Sequence, residues 1–379
     1  MQVKQIASLV NTAFSESTGL EGGVSPEDLT GCVDMGTAIF NANAVDNYVK
    51  SLVDHIGRVI FVDRAYRGRA PKVLMDSWEY GSVLEKVAME IPDAQENPTW
   101  NLQNGTVYEQ DKFVKPTITV KFYNHKTTFE VPISITDRQV KESFSSAQQL
   151  AGFISMIYTT IENALTIAMD NLVMRAINNF TAAVVHDQSN TSVHLKTEYL
   201  ALHPEITANT YTLDKALHDP AFLQYAGERI RLITKLMGTM SVLYNLDTKA
   251  RFTPAEDLHL ILLTDFVSAT SSYLQSSTFH KELVALPLFE EVPYWQGNAT
   301  GALARSQIMI DNLGDGTSVE VNAFVLGVAF DRNAVGVSNW DRRTTAHRNN
   351  HAEFENLWFK NDAGFFNDGS EQFVAFLFD

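Results

Sequence analysis

The sequence predicts an α+β fold, and three patterns carry that prediction. Apolar and polar residues alternate with period two up to residue 123 and again from Phe129, on either side of a short polar turn. An apolar stripe at steps of three and four runs from Leu150 to Phe180. Beyond residue 250 the chain reads mostly as strands with short helices between them.

Residues 1–45 are rich in Ser, Thr, Gly, Asn and Asp. Gly19-Leu20-Glu21-Gly22-Gly23 and Ser25-Pro26-Glu27-Asp28 are loop and cap signals. Met1–Phe14 is an interrupted amphipathic stretch without a signal-peptide core. The segment reads as an extended arm that a neighbour must order. Val45–Ile56 predicts a short helix with Val49, Leu52, Val53 and Ile56 on one face, and Val59–Val62 a short strand. Arg58, Arg64, Arg67, Arg69 and Lys72 make the next stretch basic; of its two readings, a phosphate site and a solvated or subunit-facing loop, the loop is favoured. Residues 74–114, with Trp78, a Gly81-Ser82 break and the polar run Pro92–Gly105, form a long excursion leading into the strands.

Ile118, Val120 and Phe122 alternate with Thr117, Thr119 and Lys121; after Tyr123-Asn124-His125-Lys126 come Phe129, Val131, Ile133 and Ile135. Such alternation around a polar turn predicts a β-hairpin. Its tip would carry Lys121, Tyr123, Asn124, His125 and Lys126. Pro132 lacks the donor a central strand needs, so the return strand is an edge or projects. Next, Leu150, Phe153, Ile154, Ile157, Tyr158, Ile161, Leu165, Ala168, Met169, Leu172, Val173, Ile177 and Phe180 line one face of a helix. Ser145 with Gln148 supplies a capping box. At a rise of 1.5 Å per residue, ~34 residues make a rod of roughly 50 Å, a strut.

His186–Thr212 is polar and irregular. Asp219-Pro220 starts a second helix, with Phe222, Leu223, Ala226, Ile230, Ile233, Leu236, Met237, Met240 and Leu243 as its stripe. Leu258–Leu263 is a buried strand, and Asp265 opens a short helix. Ile308–Ile310, Val319–Phe330, Val335–Val337 and Phe373–Phe378 read as strands, and His351–Lys360 is partly alternating.

Composition narrows the chemistry. The 379 residues are 45% hydrophobic and carry a formal charge of −16, which argues against a basic nucleic-acid grip. A single cysteine, Cys32, excludes disulfide frameworks and multi-cysteine metal sites. No apolar run approaches the ~20 residues of a membrane span. His347 and His351 have the spacing of a helical metal pair, but no Glu holds the base position and the surroundings read as strand. Asp311 to Gly316 lacks the ligand spacing of a calcium loop and reads as a turn. Glu162, Asp170 and Arg175 read as the solvated or subunit-facing edge of the long helix. No phosphate loop, dinucleotide fingerprint or nucleophile elbow occurs. The expectation is no catalytic site, no cofactor and no metal.

The segment Phe129-Glu130-Val131-Pro132-Ile133-Ser134-Ile135-Thr136-Asp137-Arg138-Gln139-Val140 resembles a pattern in tailed-phage major capsid proteins. There a projecting hairpin returns through a strand, passes a Ser/Asp-Arg-Gln-apolar turn and enters a long spine helix. Ala329-Phe330-Asp331-Arg332-Asn333-Ala334-Val335-Gly336-Val337 and Glu371-Gln372-Phe373-Val374-Ala375-Phe376 are similar to later stretches of the same family. Ser51–Gly57 and Glu256–Ile261 are similar to capsid proteins of small, short-tailed phages of Gram-positive hosts. The similar pieces are scattered but collinear over residues 45–379.

The resemblance implies the Hong-Kong-97-like capsid fold: an N-terminal arm (1–57), an extended hairpin loop with flanking strands (58–135), a peripheral domain with the spine helix (136–250), an axial domain (251–340) and C-terminal strands returning to the core (341–379). It implies a coat protein that self-assembles as pentamers and hexamers into an icosahedral or prolate head around double-stranded DNA, in the host cytoplasm. A chain beginning at the arm implies a separate scaffolding protein, alongside a portal. Some relatives cross-link Lys to Asn between subunits, and Lys121, Asn124 and Lys126 supply those residue types. An encapsulin-type compartment shares the fold but usually begins with a helix where this chain is expected to have an arm. A metal hydrolase on His347 and His351 is the distant alternative. On the residues themselves, a strut, a projecting hairpin and an arm all need partners.

Overall fold

The computed structural model describes residues 3–20, 23–25, 73–75, 84–92, 100–108, 113–136, 147–187, 190–277, 289–297, 303–311, 316–321 and 324–379, and a few isolated positions between them. Cys32, the basic stretch from Arg58 to Lys72, the strand expected at 59–62, Trp78, Ser145 and Asp315 lie outside the described residues.

Among the described residues the helices are, in chain order, α1 (Val3–Thr18), α2 (Ala147–Asp187), α3 (Leu195–Leu202), α4 (Leu213–Leu217), α5 (Pro220–Met237) and α6 (Thr264–Ser277). The strands are β1 (Leu74–Met75), β2 (Leu84–Met89), β3 (Ile118–Tyr123), β4 (Lys126–Thr136), β5 (Ser192–His194), β6 (Leu258–Leu263), β7 (Glu290–Val292), β8 (Gln296–Gly297), β9 (Leu303–Ala304), β10 (Ile308–Ile310), β11 (Val319–Val321), β12 (Phe324–Asp331), β13 (Val335–Asn349), β14 (Phe354–Asn367) and β15 (Phe373–Phe378). They form two compact units, each built from three segments: 1–69, 126–172 and 338–364 in the first, and 70–125, 173–337 and 365–379 in the second.

In the first unit, β4 lies at the edge of a sheet beside β14, which lies beside β13. β4 pairs antiparallel with β14 from Thr136↔Phe354 to Lys126↔Gly364. Pro132 stands opposite Trp358 on this edge, where its missing N–H leaves no ladder bond unmade. Phe129, Val131, Ile133 and Ile135 share the less exposed face, as their alternation predicts. The expected hairpin does not form. β4 takes its partner from β14, more than 200 residues on, and not from β3.

The amino-terminal arm is also not wholly extended. Its first 16 described residues make α1, with Ala7, Val10, Ala13 and Phe14 buried. The Asn11 amide bonds both backbone groups of Val24 at 2.9 Å, tying the following loop to this helix.

Helix α2 has 41 residues, about 60 Å at 1.5 Å per residue, longer than the sequence suggested. Ile161, Leu165, Met169, Leu172, Val173, Ile177 and Phe180 of the stripe are buried, while Arg175 is exposed. Glu162 is not a solvated edge: its carboxylate lies 3.7 Å from the Arg342 guanidinium. The side chains from Leu150 to Tyr158 are outside the described set.

The second unit is centred on a five-stranded sheet in the order β5-β15-β12-β6-β7. β12 is antiparallel to both β15 and β6, while β7 and β5 add parallel edges. All six residues of β15 are buried, as its continuous apolar run requires. Gly327 sits at a register shift in β12, where a Cβ would stand 2.8 Å from the Ile261 carbonyl oxygen. Helix α5 starts where expected: the Asp219 side chain accepts from the Ala221 N–H, and Pro220 fills the first turn. It stops at Met237, before Gly238, so Met240 and Leu243 are exposed and do not extend its stripe. α3 packs on β15 and α6 on β6, with α5 against both helices.

Candidate assembly ribbon and its root

β2 and β3 make a two-stranded ribbon in the second unit, antiparallel from Leu84↔Tyr123 to Met89↔Ile118. The sequence reading missed β2, because its partner lies about 30 positions further on in the chain. The alternation of β3 is real, but its sense is reversed. Ile118, Val120 and Phe122 point to solvent with Val87 and Met89 from β2, and Phe122 is 65% exposed. Lys86, Ala88, Thr119, Lys121 and Tyr123 face the body of the unit. The connection adds Trp100, Val107 and Phe113, each at least 86% exposed. A run of apolar side chains this exposed marks an interaction surface.

The inward face is held by charge. Lys86 Nζ lies 2.6 Å from Asp368 Oδ2 and 2.7 Å from Glu371 Oε1. Lys121 Nζ lies 2.8 Å from Asp368 Oδ1 and 2.6 Å from Asp247 Oδ2, and donates to Ser370 Oγ at 3.1 Å. The Asp368 side chain is 1% exposed and also accepts from the Ser370 N–H and hydroxyl. Burial alone would raise its pKa. Hydrogen bonds from Lys121, Lys86 and Ser370 outweigh that and hold the carboxyl well below the usual range. Burial and the nearby Asp368 charge push the Tyr123 phenol up, and its ring packs 5.0 Å from that of Phe366. Lys249 pairs with Glu90 at the outer end of β2.

Lys86, Lys121, Lys249, Glu90, Asp247 and Asp368 line a cavity of about 310 Å³. Lys86, Lys121, Lys249 and Arg251 there each pair with a carboxylate, so the cavity is charge-balanced and does not select for an anion.

The five residues expected at a hairpin tip lie instead where the chain passes from the ribbon into β4. Lys121 and Tyr123 belong to β3 and face inward. Asn124 and His125 are exposed; the His125 ring stacks on Phe365 at 5.7 Å. Lys126 opens β4, with its ammonium 3.7 Å from the centroid of the Trp340 ring. A two-residue hairpin needs positive φ in its turn, and neither Asn124 nor His125 has it, so the chain continues without doubling back. Lys121 is committed to Asp368 and Asp247, which argues against its use in a covalent cross-link.

The other candidate chemistry does not come together. His347 is an exposed position of β13, and His351 lies in the turn after it, so their spacing places them on no helix face. Among the described residues no group of three or more His, Cys, Asp or Glu is placed to hold a metal ion, and no helix is long and apolar enough to cross a membrane.

The two later motifs do meet. The Asp331 N–H bonds the Gln372 carbonyl at 3.0 Å, and the Asp368 N–H bonds the Ala334 carbonyl at 2.8 Å. The turn between β12 and β13 and the turn between β14 and β15 thus build the platform that carries the ribbon root.

This architecture is the Hong-Kong-97-like capsid fold. A chain in the capsid of Staphylococcus phage Andhra superposes with a TM-score of 0.53 at 7% identity, covering 84% of this chain and 86% of that one. A chain in the structure of the head fibre and inner core protein of native bacteriophage P68 gives 0.53 at 10% identity over the same shares. None of the curated proteins matches the sequence. The family model for the Phi29-like phage major capsid protein matches residues 10–377, and the chain belongs to that family. It is a coat protein of a phage head, located in the virion capsid and assembling with copies of itself. α1 removes the absence of an opening helix as an argument against an encapsulin-type compartment; the family match makes the distinction instead.

Proposed function

We propose that this coat protein assembles as pentamers and hexamers into a closed icosahedral or prolate head around double-stranded DNA. The ribbon β2–β3 and its connection serve as the contact to a neighbouring subunit. The observation that carries this reading is the outward apolar face of Val87, Met89, Ile118, Val120 and Phe122. Five large apolar side chains held in water on a marginal two-stranded element favour a surface that covers them. The role is structural, without catalysis or a cofactor. The acidic balance of −16 suits a wall that encloses DNA without adhering to it. A scaffolding protein and a portal complete the assembly, which takes place in the host cytoplasm. The five-part division from arm to C-terminal strands remains our assignment of roles along the chain.

Negative-stain imaging of the purified protein tests the proposal. Closed shells, or flat patches of five- and six-fold rings, are expected. Discrete small particles of fixed low stoichiometry would contradict it.

A further inference from the structure

Lys86 and Lys121 stand directly opposite each other in the ribbon register. Two like charges at such a cross-strand position repel, and a two-stranded ribbon has little stability to spare. Here one carboxylate spans the pair: Asp368 gives Oδ2 to Lys86 and Oδ1 to Lys121. That carboxylate is itself fixed, since the Ser370 N–H and hydroxyl both hold Oδ1 and the Asp368 backbone is tied to Ala334. Asp247 and Glu371 each reach only one of the two lysines.

We infer that Asp368 is a latch: by gripping one lysine from each strand, it fixes the direction in which the ribbon leaves the second unit and keeps the apolar face turned outward. The lysine pair makes the latch conditional. With the carboxylate in place the two ammonium groups are bridged; without it each keeps only its own carboxylate, Glu371 or Asp247, and nothing spans their mutual repulsion. Asp368 is a positioning residue, and its effect is read at the ribbon and not in the core sheet.

Hydrogen exchange on the unassembled full-length chain tests this. Asp368→Asn keeps the shape and removes the charge. Amide exchange in Leu84–Met89 and Ile118–Tyr123 should rise tenfold or more, while β12 and β15 keep wild-type protection. Adding Lys86→Gln to Asp368→Asn relieves the repulsion, and ribbon protection should partly return. Unchanged ribbon exchange in Asp368→Asn, an equal rise in β12 and β15, or no recovery on adding Lys86→Gln would each overturn the latch. Should Asp368→Asn fail to fold, Lys86→Gln with Lys121→Gln asks the same question from the ribbon side. A loosened ribbon over an intact sheet supports the latch, and a ribbon as protected as wild type overturns it.

Discussion

The five-stranded sheet and the ribbon draw on the same residue types and put them to opposite use. In β15 every side chain from Phe373 to Phe378 is buried, and the run is apolar without a break. In β3 three apolar residues alternate with Thr119, Lys121 and Tyr123, and it is the apolar ones that face water. A continuous apolar run has only one reading, burial on both faces. Alternation says that the two faces meet different surroundings and leaves open which surroundings belong to the same chain. In the ribbon the polar face turns to the parent subunit, because Asp368, Asp247 and Glu371 wait there for its lysines.

If the core and the ribbon differ as described, damage to them should separate cleanly. The largest effect is expected at Ile161, fully buried in α2. Ile161→Pro removes a helical hydrogen bond and clashes with the preceding turn, costing about 3 kcal/mol or more, a large share of the ~5–15 kcal/mol that holds a domain together. Insoluble or unassembled protein should result, and particles of normal yield would contradict the helix. Gly327→Ala comes next. Its new Cβ would meet the Ile261 carbonyl at 2.8 Å and Leu262 Cδ2 at 2.5 Å, and a backbone oxygen gives way less readily than a side-chain end. We expect a loss of about 1–3 kcal/mol, read as a lower denaturant midpoint at unchanged slope. An unaltered midpoint would mean that the β12–β6 register is wrong.

Phe122→Ser should do the reverse. Because Phe122 is already exposed, subunit stability should move by no more than about 0.5 kcal/mol while shell yield falls. A midpoint shift as large as that of Gly327→Ala would show the residue to be core. Acid should act least. The Asp368 carboxyl is held below its ordinary pKa, so its contribution is complete above the unfolded value of about 4 and fades as pH falls further. Ribbon amide protection, followed by exchange corrected for intrinsic rates, should match at pH 8 and pH 5. A loss between those values would mean that another group controls the root.

The parts legible from sequence were those whose signal is local and one-sided: the α2 stripe, the Asp219-Pro220 cap, β6 and β15. The long strands β13 and β14 were less so. Asp341-Arg342-Arg343-Thr344-Thr345 has no apolar face to announce a strand, and only its partners make it one. The ribbon was misassigned because both of its determinants are distant. β2 lies across the 90–117 connection, and the Lys86–Asp368 contact closes over 282 positions. Asn124 and His125 resembled a turn in composition, but the backbone there lacks the positive φ a tight hairpin needs.

The central claim is that the ribbon serves assembly and not folding. The most direct test replaces Val87–Val120 with an Asn-Gly turn, joining Lys86 to Lys121 and leaving the root in place. Thermal unfolding and negative-stain imaging are then run on one preparation. We predict a soluble subunit that unfolds cooperatively near the wild-type temperature and forms no closed shells. Shells at wild-type yield and stability, or a subunit that cannot fold, would contradict the account.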